Sequence, residues 1–71
     1  MNQKKMGAFI KTLRKENNLT QEQLAEALSV SNRTVSRWET GSNIPDLDML
    51  IIISDFFGIE IKELIDGKNK R

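Results

Sequence analysis

The chain has 71 residues, a net charge of +1, and neither cysteine nor histidine. That length suits one small domain with a thin core, and the missing residue types exclude disulfides, thiolate metal sites and the commonest general base. The longest apolar run, residues 49–53, is far below the ~20 residues that span a bilayer, so a soluble cytoplasmic protein is expected.

Five helices are predicted and no strand. The first covers about residues 4–17, where Met6, Phe9, Ile10 and Leu13 recur at helical spacing. Asn17 and Asn18 end it, because asparagine tolerates the left-handed backbone at helix ends. The second starts at Thr20. Gln23 three residues on completes a capping box, and Leu24, Ala25 and Leu28 face inward. Ser29 and Val30 make the turn. Ser31 caps a third helix that runs to residue 39 or 40 and stops at Gly41. Val35 and Trp38 point inward from it, which makes Trp38 a core residue and not a base-stacking one. Asn32, Arg33, Ser36 and Arg37 do not share that face.

Residues 42–45 form a loop, and Asp46 caps a fourth helix ending before Gly58. At 100° per residue, Leu47, Leu50, Ile53, Ser54 and Phe57 share one face of it, while Met49, Ile52 and Phe56 form an adjoining stripe. Such a surplus of apolar residues marks an interface. A second copy or a further domain is expected on the Met49, Ile52 and Phe56 stripe; coverage by the fifth helix and the N-terminus is the alternative. The fifth helix spans about residues 60–66. One domain, residues 1–67, is therefore expected, followed by residues 68–71 as a polar tail or the start of a linker.

Charge divides along the chain. Residues 1–38 hold seven basic and three acidic side chains, residues 39–67 one basic and seven acidic, and the last four residues three basic. A basic front half suits a polyanion.

Residues 6–66 resemble the phage-repressor-like helix-turn-helix family, the lambda-repressor or Xre/Cro type. Within residues 21–40, Leu24, Leu28, Val30, Val35 and Trp38 fall at the family's apolar positions, and Ala25 at its small helix-crossing position. Leu19-Thr20-Gln21, Trp38-Glu39-Thr40-Gly41 and Ile44-Pro45 also match its signatures. Ser29 departs from the family pattern, which favours glycine at that turn position.

The resemblance implies an all-α, five-helix, lambda-repressor-like domain that binds double-stranded DNA sequence-specifically as a transcription regulator, with repression expected. A homodimer on a near-palindromic operator would follow, associated with the nucleoid, without cofactor, metal or enzymatic activity. Ser31, Asn32, Arg33, Ser36 and Arg37 fall at or near the base-reading positions. Arginine pairs with guanine O6 and N7 and asparagine with adenine through two hydrogen bonds each. A solvated face carrying Arg33 and Arg37 is the plainer alternative. Gln21, Thr40, Ser42 and Asn43 would touch the DNA backbone, fixing position without reading sequence. Arg14 and Glu39 would form a partly buried ion pair; a phosphate contact by Arg14 competes with that assignment. An antitoxin or adaptor that binds protein through the same fold is the second functional reading.

Overall fold

Four of the five helices among the described residues begin where a capping side chain takes over hydrogen bonds that the first turn of a helix cannot make internally. The computed structural model describes residues 2–69, and its helices are α1 (Gln3–Glu16), α2 (Gln21–Leu28), α3 (Asn32–Thr40), α4 (Leu47–Phe57) and α5 (Ile61–Asp66), with no strand among the described residues. Asn2 caps α1 by accepting from the Lys5 N–H at 2.9 Å. Thr20 Oγ1 accepts from the Gln23 N–H at 3.0 Å, and the Thr20 N–H donates to Gln23 Oε1 at 2.9 Å, so the capping box is complete. Ser31 and Asp46 cap α3 and α4 in the same way, accepting from the N–H groups of Thr34 and Met49. The predicted helix bounds therefore agree with the structure to within about a residue. Asn2 as the first cap is an addition.

The ends are equally local. Among the described residues, Asn18 and Ser29 are the two non-glycine residues with positive φ, 57° and 59°. At Ser29 the left-handed backbone turns the chain from α2 into α3. That conformation costs a residue with a Cβ roughly 1–2 kcal/mol. Glycine would remove this strain but gives back about 0.4–1 kcal/mol through a freer unfolded chain. Ser29→Gly is therefore expected to raise stability by about 0.5–1 kcal/mol, read as a higher urea midpoint at unchanged slope. A lower midpoint would refute the strain assigned here.

Twelve apolar side chains form the core, and they come from all five helices: Met6, Phe9, Ile10 and Leu13 from α1, then Leu24, Ala25 and Leu28, Val35 and Trp38, Leu50 and Ile53, and Leu64. α1 is the central element, packing on both α3 and α5, while α2 packs on α3 and α4 on α5. Where α1 crosses α3, Gly7 sits directly against backbone. A Cβ there would overlap the Trp38 carbonyl oxygen and stand 3.1 Å from that of Glu39.

α4 corrects two expectations. Leu47, assigned to the inward face, is 64% exposed. Met49, assigned to the outer stripe, is half-buried and packs against the core. The exposed apolar residues of α4 are Leu47, Ile51, Ile52 and Phe56, so the stripe keeps Ile52 and Phe56 and loses Met49. The reason is rotational: α4 packs on the core along Leu50, Ile53, Ser54 and half-buried Phe57, and Met49 borders that contact. Past α5, the Lys68 N–H still donates to the Glu63 carbonyl at 3.2 Å. Lys70 and Arg71 of the expected tail lie outside the described residues. No helix among the described residues is long and apolar enough to cross a membrane.

Candidate nucleic-acid interface

α3 divides sharply between its two sides. Val35 is fully buried and Trp38 is 3% exposed, whereas Asn32, Arg33 and Arg37 are exposed and Ser36 is half-buried. With 3.6 residues per turn, Arg33, Ser36, Arg37 and Thr40 fall on the side opposite Val35 and Trp38, with Asn32 at its margin. Arg33 and Arg37, four residues apart, are neighbours on it. Among the described residues neither arginine joins an ion pair. The outward side thus presents two unneutralised guanidinium groups, a carboxamide and two hydroxyls on a helix whose back is fixed in the core.

Ser31, placed with the base readers, is already engaged. Its hydroxyl accepts from the Thr34 N–H at 3.1 Å and lies 2.9 Å from Thr34 Oγ1. The capping role expected of Ser31 is the one the geometry shows, at the end of α3 that carries Asn32 and Arg33.

Arg14 and Glu39 are brought together in a fork. Arg14 Nε donates to Glu39 Oε2 at 2.6 Å and its Nη2 to Oε1 at 3.1 Å. The third guanidinium nitrogen, Nη1, donates to the Leu19 carbonyl at 2.7 Å. Both side chains are nearly out of solvent, at 9% and 2% exposure. The hydrogen bond with Glu39 raises the Arg14 pKa above its ordinary value; burial opposes this, and the carboxylate charge adds to it. With all three nitrogens engaged inside the protein, Arg14 is held between α1, the chain entering α2, and α3.

Gln21 joins the same cluster, which the sequence did not reveal. Its Nε2 donates to Glu39 Oε1 at 3.0 Å, so the half-buried amide ties the first turn of α2 to the end of α3. The loop after α3 is also more internally bonded than expected. The Ser42 and Asn43 N–H groups both donate to the Arg37 carbonyl, at 3.0 and 3.3 Å. The Thr40 hydroxyl donates to that same carbonyl at 3.2 Å and lies 3.0 Å from Ser42 Oγ. The groups this edge can offer a ligand are therefore side-chain hydroxyls and the Asn43 amide. Pro45 is buried and Ile44 exposed.

Two short helices in this arrangement, with a buried ion pair behind and a basic outer side in front, match a known family. The helix-turn-helix family model fits residues 10–64. The chain belongs to the Xre/lambda-repressor-like helix-turn-helix family. Several of its relatives are transcription regulators by name, and one is an antitoxin, PezA of Streptococcus pneumoniae, 31% identical over 65 residues. An HTH-type transcriptional activator of Enterococcus faecalis, BcrR, is 48% identical over 59 residues, covering 83% of this chain and 29% of that protein. A cryptic-phage transcriptional repressor of Vibrio cholerae, RstR, is 34% identical over 56 residues, covering 79% of this chain and 50% of that one. The chain thus spans half or less of these two relatives. The fold is shared with the clp gene regulator ClgR of C. glutamicum, with a TM-score of 0.80 at 22% identity over 94% of this chain and 87% of that one. This helix-turn-helix domain is a DNA-binding domain of the transcription-regulator type. Helix-turn-helix units in general present their second helix to the major groove.

Proposed function

We propose that the domain reads a specific operator by laying the outer side of α3 in the major groove, and that it represses by occluding a promoter. The observation that carries this reading is the split of α3 into a core-buried back and an exposed front whose arginines have no acidic partner among the described residues. Arg33 and Arg37 are assigned to guanine O6 and N7 and Asn32 to adenine. Ser36 is assigned to a short-range base contact, and Ser31 to one made alongside its cap. Thr40, Ser42 and Asn43 hold a phosphate strand through side-chain hydroxyls and amide. Gln21, whose amide nitrogen is given to Glu39, contributes the unsatisfied N–H groups at the start of α2, where an anion is favoured.

The operator is proposed to be near-palindromic, with half-sites about one helical turn (~34 Å) apart and a two-fold pair of domains upon it. The exposed part of α4, with Ile52 and Phe56, is the surface proposed for that pairing. In this reading the protein works on the nucleoid.

A random-site selection with purified protein tests these assignments. An inverted repeat is expected, and Arg33→Ala, Arg37→Ala and Asn32→Ala should each forfeit about 1–3 kcal/mol of discrimination at a single base pair. Binding should weaken steeply with salt as counterions are released. Enrichment of a lone half-site would remove the dimer and leave the reading helix. No enriched sequence, or affinity independent of salt, would remove both.

A further inference from the structure

We infer that Lys4, at the start of α1, is an additional DNA phosphate contact that supplies the positive charge missing from the loop between α3 and α4. The inference rests on the recognition reading above. Residues 41–46 read Gly-Ser-Asn-Ile-Pro-Asp, with no basic side chain and one acidic one. The edge that would meet a phosphate strand, from Thr40 to Asn43, thus offers hydroxyls and an amide but no cation of its own.

The fold brings a cation to that edge from the other end of the chain. Gly41 packs directly on Lys4: a Cβ at Gly41 would stand 2.9 Å from Lys4 Cγ, 3.0 Å from its Cα and 3.2 Å from its N. The Lys4 stem therefore lies along the backbone that joins Thr40 to Ser42. Lys4 is exposed, and among the described residues no carboxylate pairs with it. Its ammonium, on a four-carbon flexible stem, is a strongly hydrated point charge suited to a phosphate. The first turn of α1 holds no acidic residue to offset it.

The adjacent lysine is an internal control. Lys5 lies instead against Gly67 at the end of α5, where a Cβ would come 2.9 Å from Lys5 Cγ. Lys4 and Lys5 therefore have equal charge and adjoining positions, but one flanks the α3–α4 loop and the other the end of α5.

The test compares wild type, K4Q, K4R and K5Q on the selected operator and on an unrelated duplex of equal length, across a salt series. One phosphate contact contributes about 0.9 to the slope of log K against log salt. K4Q is expected to lose that much slope, so that between about 50 and 200 mM salt its affinity falls about 3.5-fold less than that of wild type. Its loss of affinity should be the same factor on both duplexes, since phosphate contacts carry no sequence information. K4R should restore the slope, and K5Q should keep it. Circular dichroism and thermal midpoints confirm that the variants fold. A K4Q slope equal to wild type overturns the assignment of Lys4, as does an equal change in K5Q, which would make the effect one of net charge. If wild type binds neither duplex, the recognition reading falls and the role of Lys4 with it.

Discussion

Gly7→Ala is expected to destabilise the domain by about 3 kcal/mol, at the upper end of the 1–3 kcal/mol typical of overpacking. The new methyl would overlap the Trp38 carbonyl oxygen, and its next neighbours are the Glu39 carbonyl oxygen and the Trp38 carbonyl carbon. All three belong to backbone inside α3, so no flexible side chain can move aside. α1 must instead retreat from α3, and that same contact carries the Arg14–Glu39 fork. The sign is informative because helix propensity works the other way: alanine favours a helix interior over glycine by about 1 kcal/mol. A peptide of α1 alone should gain helicity from a change that weakens the whole domain. Urea unfolding settles it, and a Gly7→Ala protein as stable as wild type would show that the helices do not meet at this distance. A domain of this size has only a few kcal/mol of total stability, so the loss approaches the whole.

Breaking the fork from the other side should cost as much. Glu39→Gln keeps the shape of the side chain and removes its charge, leaving the Arg14 guanidinium buried beside a neutral amide. Removing one partner of a buried pair costs roughly 3–5 kcal/mol, chiefly because the remaining charge is uncompensated. Arg14→Leu alone and Glu39→Leu alone should each cost a similar amount. The double variant Arg14→Leu/Glu39→Leu should recover much of the loss, since no buried charge remains. A double-mutant cycle in urea measures the coupling, and additive losses would show that the two groups act independently. Because both side chains are nearly buried, the coupling should change little with salt. The guanidinium has a raised pKa, so its stabilisation is complete below its unfolded value and is lost only as pH climbs through the higher folded value. That window lies at the alkaline extreme. The arginine side of the pair therefore adds no pH dependence from mildly acidic to mildly alkaline solution.

The parts of the fold legible in the sequence are those whose chemistry is local. Thr20 with Gln23, Ser31 and Asp46 are hydrogen-bonding side chains three residues before the N–H groups they accept from, and the structure uses each one. Ser29 could be read as left-handed because it occupies a turn position that glycine fits best, and its φ is 59°. What escaped was set by packing. α4 carries Leu47, Met49, Leu50, Ile51, Ile52, Ile53, Phe56 and Phe57, so apolar residues nearly surround it and periodicity cannot choose which arc meets the core. Hence neither the exposure of Leu47 nor the half-burial of Met49 follows from spacing. Gly7 did leave a signal. A glycine within the amphipathic pattern of α1 is costly unless something approaches closely.

The candidate site was legible in the same uneven way. The split of α3 follows from helical spacing, so the exposure of Arg33 and Arg37 could be read directly. The hydrogen bond from Gln21 to Glu39, which lie 18 residues apart, depends on how α2 meets α3. The approach of Lys4 to Gly41 depends on the crossing of α1 with α3. Neither leaves a mark in local sequence.

The central place of α1 has a consequence for how the protein is made. α1 is synthesised before the other helices, yet the helices it packs on, α3 and α5, follow later in the chain. Met6, Phe9, Ile10 and Leu13 are therefore made before the helices of this domain that cover them. Glu39 is the twenty-third residue after the end of α1 at Glu16, which at roughly 5–20 residues per second is about 1–5 s of translation. Leu64, which closes the core from α5, comes later still. The core of this domain therefore cannot be completed helix by helix during synthesis: the apolar face of α1 is closed only once α3 and α5 have been made.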